Sequence, residues 1–391
     1  MNRPRVFSSA GPRAVLAAGG TGGHVYPALA VAAELRRLRP EIELLFIGGD
    51  RMEARVVPAA GYRFRAISVH GLAGRGLSGW TRRARAAGEL ALGIPLLQCL
   101  NIYRCFRPQV VVGAGGYVSG PALLAARLAG IPCLAFEGNR VPGWTSRAIA
   151  RMVNVLAIAW PDQEPFFAGR MRRGGRVVVT GLPIRREVVE VAREEGAARL
   201  CLDPGRVTLL VLGGSLGSRR INEAVVGGLP RLAGEPGMRG LQVVHMTGRQ
   251  HPISLPGDQA ETLGINYRSR EYLAEHYPAA LAAADLVVAR AGASTVAEIA
   301  ARGLPAILIP WSGAAVGEQE RNAEPLAQAG AAVVLRDAEL TPERLARELA
   351  ALLGDGARRA AMAAASRALG RPRAAEQVAE LALQVARSEN W

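Results

Sequence analysis

The chain has 391 residues, half of them hydrophobic, and a formal net charge of +15 carried by 48 basic residues that are all arginine. The length exceeds one ordinary core and points to two domains, and the mix of Ala, Val, Leu and Gly with few aromatics suits α/β layers. Because the absence of lysine is a compositional bias, charge alone does not choose among nucleic acid, anionic lipid and phosphorylated ligands, and nucleic acid is set aside for want of stacking motifs.

Met1 to Arg13 carries arginines but no apolar run of the secretory kind, and residues 1–12 read as a flexible lead-in. Arg13 to Ala18 reads as a short buried strand that runs into Gly19-Gly20-Thr21-Gly22-Gly23-His24. A helical pattern follows from Pro27 to Leu38, then a strand from Ile42 to Ile47. Val110 to Val112 leads into Gly113-Ala114-Gly115-Gly116-Tyr117-Val118-Ser119-Gly120, a helix from Pro121 and a strand from Pro132 to Phe136. The same grammar begins again at Val207 to Leu212, with Gly213-Gly214-Ser215-Leu216-Gly217-Ser218, a helix near Arg219 and a strand at Leu241 to Met246. Leu286 to Ala289 is a further strand, ending in Arg290-Ala291-Gly292-Ala293-Ser294-Thr295, with a helix to Arg302 and a strand at Pro305 to Ile309. Strand, glycine-rich turn, helix, strand is the parallel βαβ unit. Two doubly wound domains result, with the boundary expected between Thr180 and Arg206, and ligands expected beyond the carboxyl ends of the strands, in a cleft.

Glycine turns at strand ends let a backbone approach a ligand closely and aim helix N-terminal N–H groups at an anion. One such turn is equally explained by tight packing; several together point to phosphate or sugar handling. None is a P-loop, since that motif needs a lysine. A dinucleotide fingerprint fits poorly, because Ile47 is followed by Gly48-Gly49-Asp50 rather than by an acidic residue closing the strand. His24 is the histidine that sits inside a glycine turn, and it reads either as a base for a sugar hydroxyl or as a helix-capping residue. Glu298, one turn into its helix, reads either as a ribose-diol acceptor or as a surface charge or first-turn partner of the helix dipole.

These motifs resemble the MurG family of bacterial peptidoglycan N-acetylglucosaminyltransferases. Gly19 to Pro27, Gly113 to Pro121 and Gly213 to Ser218 look like its three glycine loops; Ala291 to Leu304 resembles its donor-sugar motif, and Gln319 with Asn322 its Gln-x-x-Asn-Ala element. The resemblance covers nearly the whole chain. It implies a GT-B fold, two Rossmann-like domains facing across a cleft: an acceptor- and membrane-binding domain over 13–180, a UDP-GlcNAc-binding domain over 181–370, and a C-terminal helix over 371–391 that returns to the first domain. It implies inverting transfer of GlcNAc from UDP-GlcNAc to the lipid-linked acceptor lipid I, giving lipid II, at the cytoplasmic face of the cell membrane.

Carried over residue by residue, the resemblance places His24 and Thr21 where the acceptor diphosphate is expected, with His24 the candidate catalytic or acceptor-orienting residue. Glu298 would hold the ribose, Ser215 and the backbone of Ala293, Ser294 and Thr295 the diphosphate, and Gln319 and Asn322 the GlcNAc hydroxyls. Arg185 would contact the nucleotide and Leu273 the uracil through its backbone. Gly20, Thr21, Gly22, Gly23, Gly115, Gly116, Tyr117 and Asn139 would line the cleft. No metal is expected, since no DxD-like pair ends a strand and N–H dipoles with arginine can stabilise a leaving diphosphate. The chain departs from the family pattern at Phe136, Gly138, Leu182, Leu216 and Val316-Gly317-Glu318. Non-catalytic sugar-nucleotide binding, or a different lipid or small-molecule acceptor, is the rival reading.

No uncharged apolar stretch reaches the ~18 residues that span a bilayer, so membrane contact is expected to be peripheral. Leu72 to Arg107 mixes apolar and basic residues, with Leu77, Trp80, Arg82, Arg83 and Arg85 as candidate contacts to an anionic membrane surface; an amphipathic core helix would look alike. Partner proteins of cell-wall synthesis are compatible with such a location. The four cysteines read as small core residues in a reducing compartment.

Overall fold

The computed structural model describes residues 11–69, 93–214, 216–235, 238–314 and 317–387, apart from the side chain of Trp144. The chain divides into two compact units, one running to Arg185 and resuming at Arg373, the other Arg186–Pro372. No described helix is long and apolar enough to cross a membrane.

In the first unit the order is β1 (Arg13–Ala17), α1 (Gly22–Leu38), β2 (Glu43–Gly48), α2 (Glu53–Ala59), β3 (Arg63–Ala66), α3 (Ile94–Phe106), β4 (Val110–Gly113), α4 (Gly116–Leu128), β5 (Cys133–Glu137), α5 (Trp144–Ala150), β6 (Val155–Ile158), α6 (Glu164–Ala168) and β7 (Arg176–Val179). The strands form one parallel sheet in the order β3-β2-β1-β4-β5-β6-β7. Alternate residues serve opposite faces. Val15, Ala17, Leu45, Ile47 and Val111 point into a core shared with Tyr103 of α3 and Val118, Ala122 and Leu123 of α4. A last helix, Ala374–Arg387, packs on α1, β4 and β5, and Arg37 holds Glu376 at 2.6 Å. Burial on both faces accounts for the unbroken apolar runs of β1 and β4.

The second unit contains α7 (Arg186–Glu190), α8 (Arg193–Arg199), β8 (Thr208–Leu212), α9 (Arg219–Gly228), β9 (Gln242–Met246), α10 (Gly257–Thr262), β10 (Asn266–Arg270), α11 (Tyr277–Ala283), β11 (Leu286–Ala289), α12 (Ala293–Arg302), β12 (Ala306–Leu308), α13 (Glu318–Gln328), β13 (Ala332–Val334), α14 (Pro342–Leu353) and α15 (Gly356–Leu369). Its parallel sheet runs β10-β9-β8-β11-β12-β13. One face buries Leu209, Val211, Val243 and Val288 against Ile221 and Val225 of α9 and Leu345 and Leu349 of α14. In both sheets the winding direction reverses beside the first strand, between β1 and β4 and between β8 and β11. Each reversal parts two neighbouring loops and leaves room for a ligand at the strand ends.

Three sequence expectations are corrected. The helices expected to start at Pro27 and Pro121 begin five residues earlier, at Gly22 and Gly116, with the proline inside. Proline there forfeits one ladder bond, yet the glycine turn before it already has helical geometry, as the bond from Val25 N–H to the Thr21 carbonyl (3.2 Å) records. Cys99 and Cys133 are buried as expected, but Cys105 and Cys201 are exposed. Cys201 follows α8 with a positive φ of 51°, a turn position rather than a core one.

Candidate functional site

The first unit's switch point is built from the turns after β1 and β4. Ala114 N–H donates to the Ala17 carbonyl (2.9 Å), and the buried Ser119 hydroxyl reaches the carbonyls of both Ala17 (3.2 Å) and Gly115 (2.6 Å). The strand ends are thereby tied, and α1 and α4 begin side by side. The glycines are required by contact. A Cβ on Gly116, whose φ is +73°, would lie 2.8 Å from the Gly19 carbonyl oxygen, and one on Gly115 would lie 2.9 Å from His24 Cδ2. A Cβ on Gly20 would strike the Tyr117 ring at 2.9 Å.

His24 therefore lies over the Gly115–Gly116 turn, on the first turn of α1, with Thr21 Oγ1 3.4 Å from its Nδ1. Part of its surface remains open, but its close surroundings desolvate the ring and lower its pKa below 6.5; a hydrogen bond to Gly19 and the charge of Glu53 act in the opposite direction. A histidine kept neutral at physiological pH is able to accept a proton. Thr21 and Gly23 are exposed and Gly22 is half-buried.

Two arginines flank this corner: Arg51 over the Tyr117 ring at 5.7 Å and Arg185 over the Tyr26 ring at 5.1 Å. Arg185 thus sits on α1 and belongs to the first unit, although the sequence reading put it in the nucleotide domain. Asn139 follows β5, its N–H donating to Glu137 (2.8 Å) and its carbonyl accepting from Gln163 (2.7 Å). Glu53 was missed in the sequence. Its fully buried carboxylate accepts the N–H of Gly49 (3.0 Å) and of Gly20 (3.2 Å), joining the turns after β2 and β1. The acidic residue sought at the end of β2 was Asp50, which is exposed; nothing in the local pattern distinguishes Glu53 from an ordinary first-turn acid.

In the second unit the turns after β8 and β11 meet. Gly217 and Gly248 pack backbone to backbone: a Cβ on Gly217 would collide with the Thr247 carbonyl oxygen. Ser218 caps α9 by accepting from Ile221 N–H (3.4 Å). Arg290, at the end of β11, donates to Ser218 Oγ (2.7 Å), Asp337 (2.7 Å) and the Ile309 carbonyl (3.1 Å). Asp337 also accepts from Ser312 (3.1 Å). One ion pair therefore ties four strand-end segments together. Helix α12 starts here, capped by Gly292, and its first intrahelical bond runs from Val296 N–H to the Gly292 carbonyl. The N–H groups of Ala293, Ser294 and Thr295 precede that bond, at the positive end of the helix dipole.

Glu298 is buried on α12 and accepts a 2.6 Å hydrogen bond from the Tyr277 hydroxyl, which removes the surface-charge reading. Asn322 is buried on α13 and donates to the Ala291 carbonyl (3.4 Å), and Gln319 accepts the N–H of the half-exposed Trp311 (2.9 Å). Asn322 thus ties α13 to the loop that opens α12, the helix that carries Glu298, and Gln319 lies one turn before Asn322 on α13. Leu273 is wholly buried beside Ala274, whose φ is +44°. Ser215 lies outside the described residues, as do Leu77, Trp80, Arg82, Arg83, Arg85 and Val316.

Two departures from the family pattern explain each other. A Cβ on Gly138 would lie 2.7 Å from Leu182 Cδ1, so the buried leucine occupies the space that a side chain at 138 would fill. Leu216 is exposed, Gly317 caps α13 in the left-handed region, and burial raises the pKa of Glu318.

The glycosyltransferase family 28 N-terminal domain model matches residues 14–158 and the family 28 C-terminal domain model residues 208–378. The chain is 40% identical over 373 residues to the UDP-N-acetylglucosamine–N-acetylmuramyl-(pentapeptide) pyrophosphoryl-undecaprenol N-acetylglucosamine transferase of Desulforudis audaxviator, covering 94% of this chain and 97% of that one. It is 41% identical over 386 residues to the transferase of the same name from Moorella thermoacetica, covering 96% and 100%. Among solved structures, Acinetobacter baumannii MurG superposes with a TM-score of 0.67 at 27% identity, covering 96% of this chain and 99% of that one.

Proposed function

Because the chain belongs to glycosyltransferase family 28, among the N-acetylglucosamine transferases that act on a pyrophosphoryl-undecaprenol acceptor, we propose that it moves GlcNAc from UDP-GlcNAc to lipid I, giving lipid II in peptidoglycan synthesis. The observation that carries this reading is identity of about two residues in five along nearly the full length of both chains.

His24 is the base. The acceptor hydroxyl gives its proton to the imidazole as its oxygen bonds the anomeric carbon; the bond from that carbon to the UDP oxygen breaks, and UDP leaves with the electron pair. Inversion follows from attack opposite the leaving group. A histidine lowered below 6.5 by burial suits this step, being neutral at working pH. The N-termini of α1 and α4, with Thr21, Gly22, Gly23, Gly115, Gly116 and Tyr117, supply N–H groups for the acceptor diphosphate, and Arg51 and Arg185 add positive charge. Asn139 completes the acceptor side.

In the second unit Glu298 accepts from the ribose diol, Leu273 offers backbone to the uracil, and Gln319 and Asn322 read the sugar. Ser215 and the N–H groups of Ala293, Ser294 and Thr295 receive the diphosphate. The α9 and α12 N-termini meet the charge that grows on departing UDP, and these N–H dipoles support departure without a resident metal.

The enzyme works as a peripheral protein at the cytoplasmic face of the cell membrane. Supporting this are three exposed leucines on the paired helices α3 and α4 (Leu97, Leu124 and Leu128), alongside exposed Arg104 and Arg127. The test of function is transfer of radiolabel from UDP-GlcNAc to a lipid I analogue. Product with the parent chain, abolished in folded His24→Ala and Glu298→Ala, establishes the reading; UDP binding without product moves it to another acceptor or to a binding-only role.

A further inference from the structure

Among the described residues Glu53 is the one wholly buried carboxylate beside the catalytic corner, and the mechanism above does not use it. Its two oxygens are spent on different strands' turns, Oε1 on Gly49 N–H and Oε2 on Gly20 N–H. Both turns are shaped around it: a Cβ on Gly19 would lie 2.7 Å from Oε1, and one on Gly48 would lie 2.8 Å from Cγ. A buried carboxylate that accepts two backbone N–H groups is an expensive way to brace a turn unless its charge is also used.

We infer that Glu53 is a positioning residue for His24: its carboxylate clamps the Gly19–Gly20 turn to the Gly48–Gly49 turn and supplies the negative charge that favours the imidazolium formed when His24 takes the acceptor's proton. This rests on His24 being the base. Fixed charge placed near a group that becomes charged in the reaction is an established economy of active sites, since it needs no reorganisation during the step. The clamp also sets the entry to α1, because Gly20 lies two residues before the helix that carries His24. Among the described residues the other titratable or charged groups facing this corner are Tyr117 from α4, Asp50 and Arg51 from the β2–α2 turn, and Arg185 over Tyr26. Burial of His24 opposes protonation, and Glu53 is the acid whose charge counteracts it.

The test is the titration of His24 by carbon-13 histidine NMR in the full chain, which has five histidines; the His24 signal is the one lost in His24→Gln. In folded Glu53→Gln the His24 midpoint is expected to lie at lower pH than in the parent, kcat to fall on the order of 10- to 100-fold, and the KM for UDP-GlcNAc to stay unchanged. Glu53→Asp, which keeps the charge, is expected to recover part of both. An unchanged His24 midpoint in folded Glu53→Gln overturns the proposal. Should that variant fail to fold, Gly49→Ala takes its place: the new Cβ would sit 2.9 Å from Glu53 Oε1 and displace the carboxylate, so the midpoint should again fall, and a fixed midpoint again overturns the proposal. The acid limb of kcat/KM, which reports the free enzyme, should follow the NMR midpoint. A midpoint that moves while the limb stays put overturns His24 as the base rather than its coupling to Glu53.

Discussion

The Arg290–Asp337 pair gives the sharpest energetic prediction. Their side chains are 12% and 6% exposed, and Arg290 Nη1 lies 2.7 Å from Asp337 Oδ1. Asp337→Ala removes the anion and leaves the guanidinium buried. Breaking such a pair costs roughly 3–5 kcal/mol, because the surviving charge is uncompensated. Here Arg290 keeps three neutral acceptors (Ser218, Ile309 and Pro310), which favours the lower end, about 3 kcal/mol. For a unit of this size that corresponds to about 6–12 °C in Tm. Differential scanning calorimetry of the full chain reads it as a downward shift of the transition belonging to the second unit. The double variant Arg290→Met/Asp337→Leu removes both charges and should regain most of the lost stability, yet bind UDP more weakly, since nothing then holds Ser218 to the end of β11. A loss under about 1 kcal/mol in Asp337→Ala, or a double variant no more stable than the single, would refute the unpaired-charge reasoning.

Other expectations follow from the same geometry. The acid limb of kcat/KM should lie below pH 6.5: His24 acts as base only when neutral, its folded pKa is depressed, and activity is lost as pH falls through that value. His245, wholly buried between Tyr267 (2.7 Å) and Asn222 (3.1 Å), is pushed down to about 4 by burial. A depressed histidine contributes stability above its unfolded value of 6.5 and loses it as pH falls toward about 4, which amounts to about 2 kcal/mol at about pH 5. Urea midpoints of the parent and a His245→Asn variant at two pH values check this; an identical pH dependence would sink it. Tyr277→Phe deletes the hydrogen bond to Glu298 and should raise the KM for UDP-GlcNAc roughly 3- to 10-fold with kcat little changed. Gly116→Ala places a Cβ 2.8 Å from the Gly19 carbonyl at φ +73° and should cost about 2 kcal/mol while lowering kcat, measured by melting and by initial rates.

Much of this protein is legible in its amino-acid order because parallel strands with helices on both faces must be continuously apolar. β11 was read to the residue, and β1, β2, β4, β5, β8 and β9 to within one residue at each end. β3, β6, β7, β10 and β13 went unread; in β3, β7 and β10, which are edge strands, exposed arginines (Arg63, Arg65, Arg176, Arg268) break the apolar run. The glycine turns were visible as composition, and the reason for each glycine became visible only as contact: the His24 ring over Gly115, the Tyr117 ring over Gly20.

Local order determined the repeated strand–turn–helix units, the placement of His24 in a glycine turn and of Glu298 one turn into its helix, and the membership of a family. Tertiary structure alone decided which groups complete the sites. Glu53 and Gly20, Tyr277 and Glu298, and Arg290 and Asp337 are 33, 21 and 47 residues apart. Periodicity carries information over a few residues, because it reflects which face of one element is buried. A buried charge finds its partner across neighbouring strand ends, and that neighbourhood is set by the order in which the strands pair.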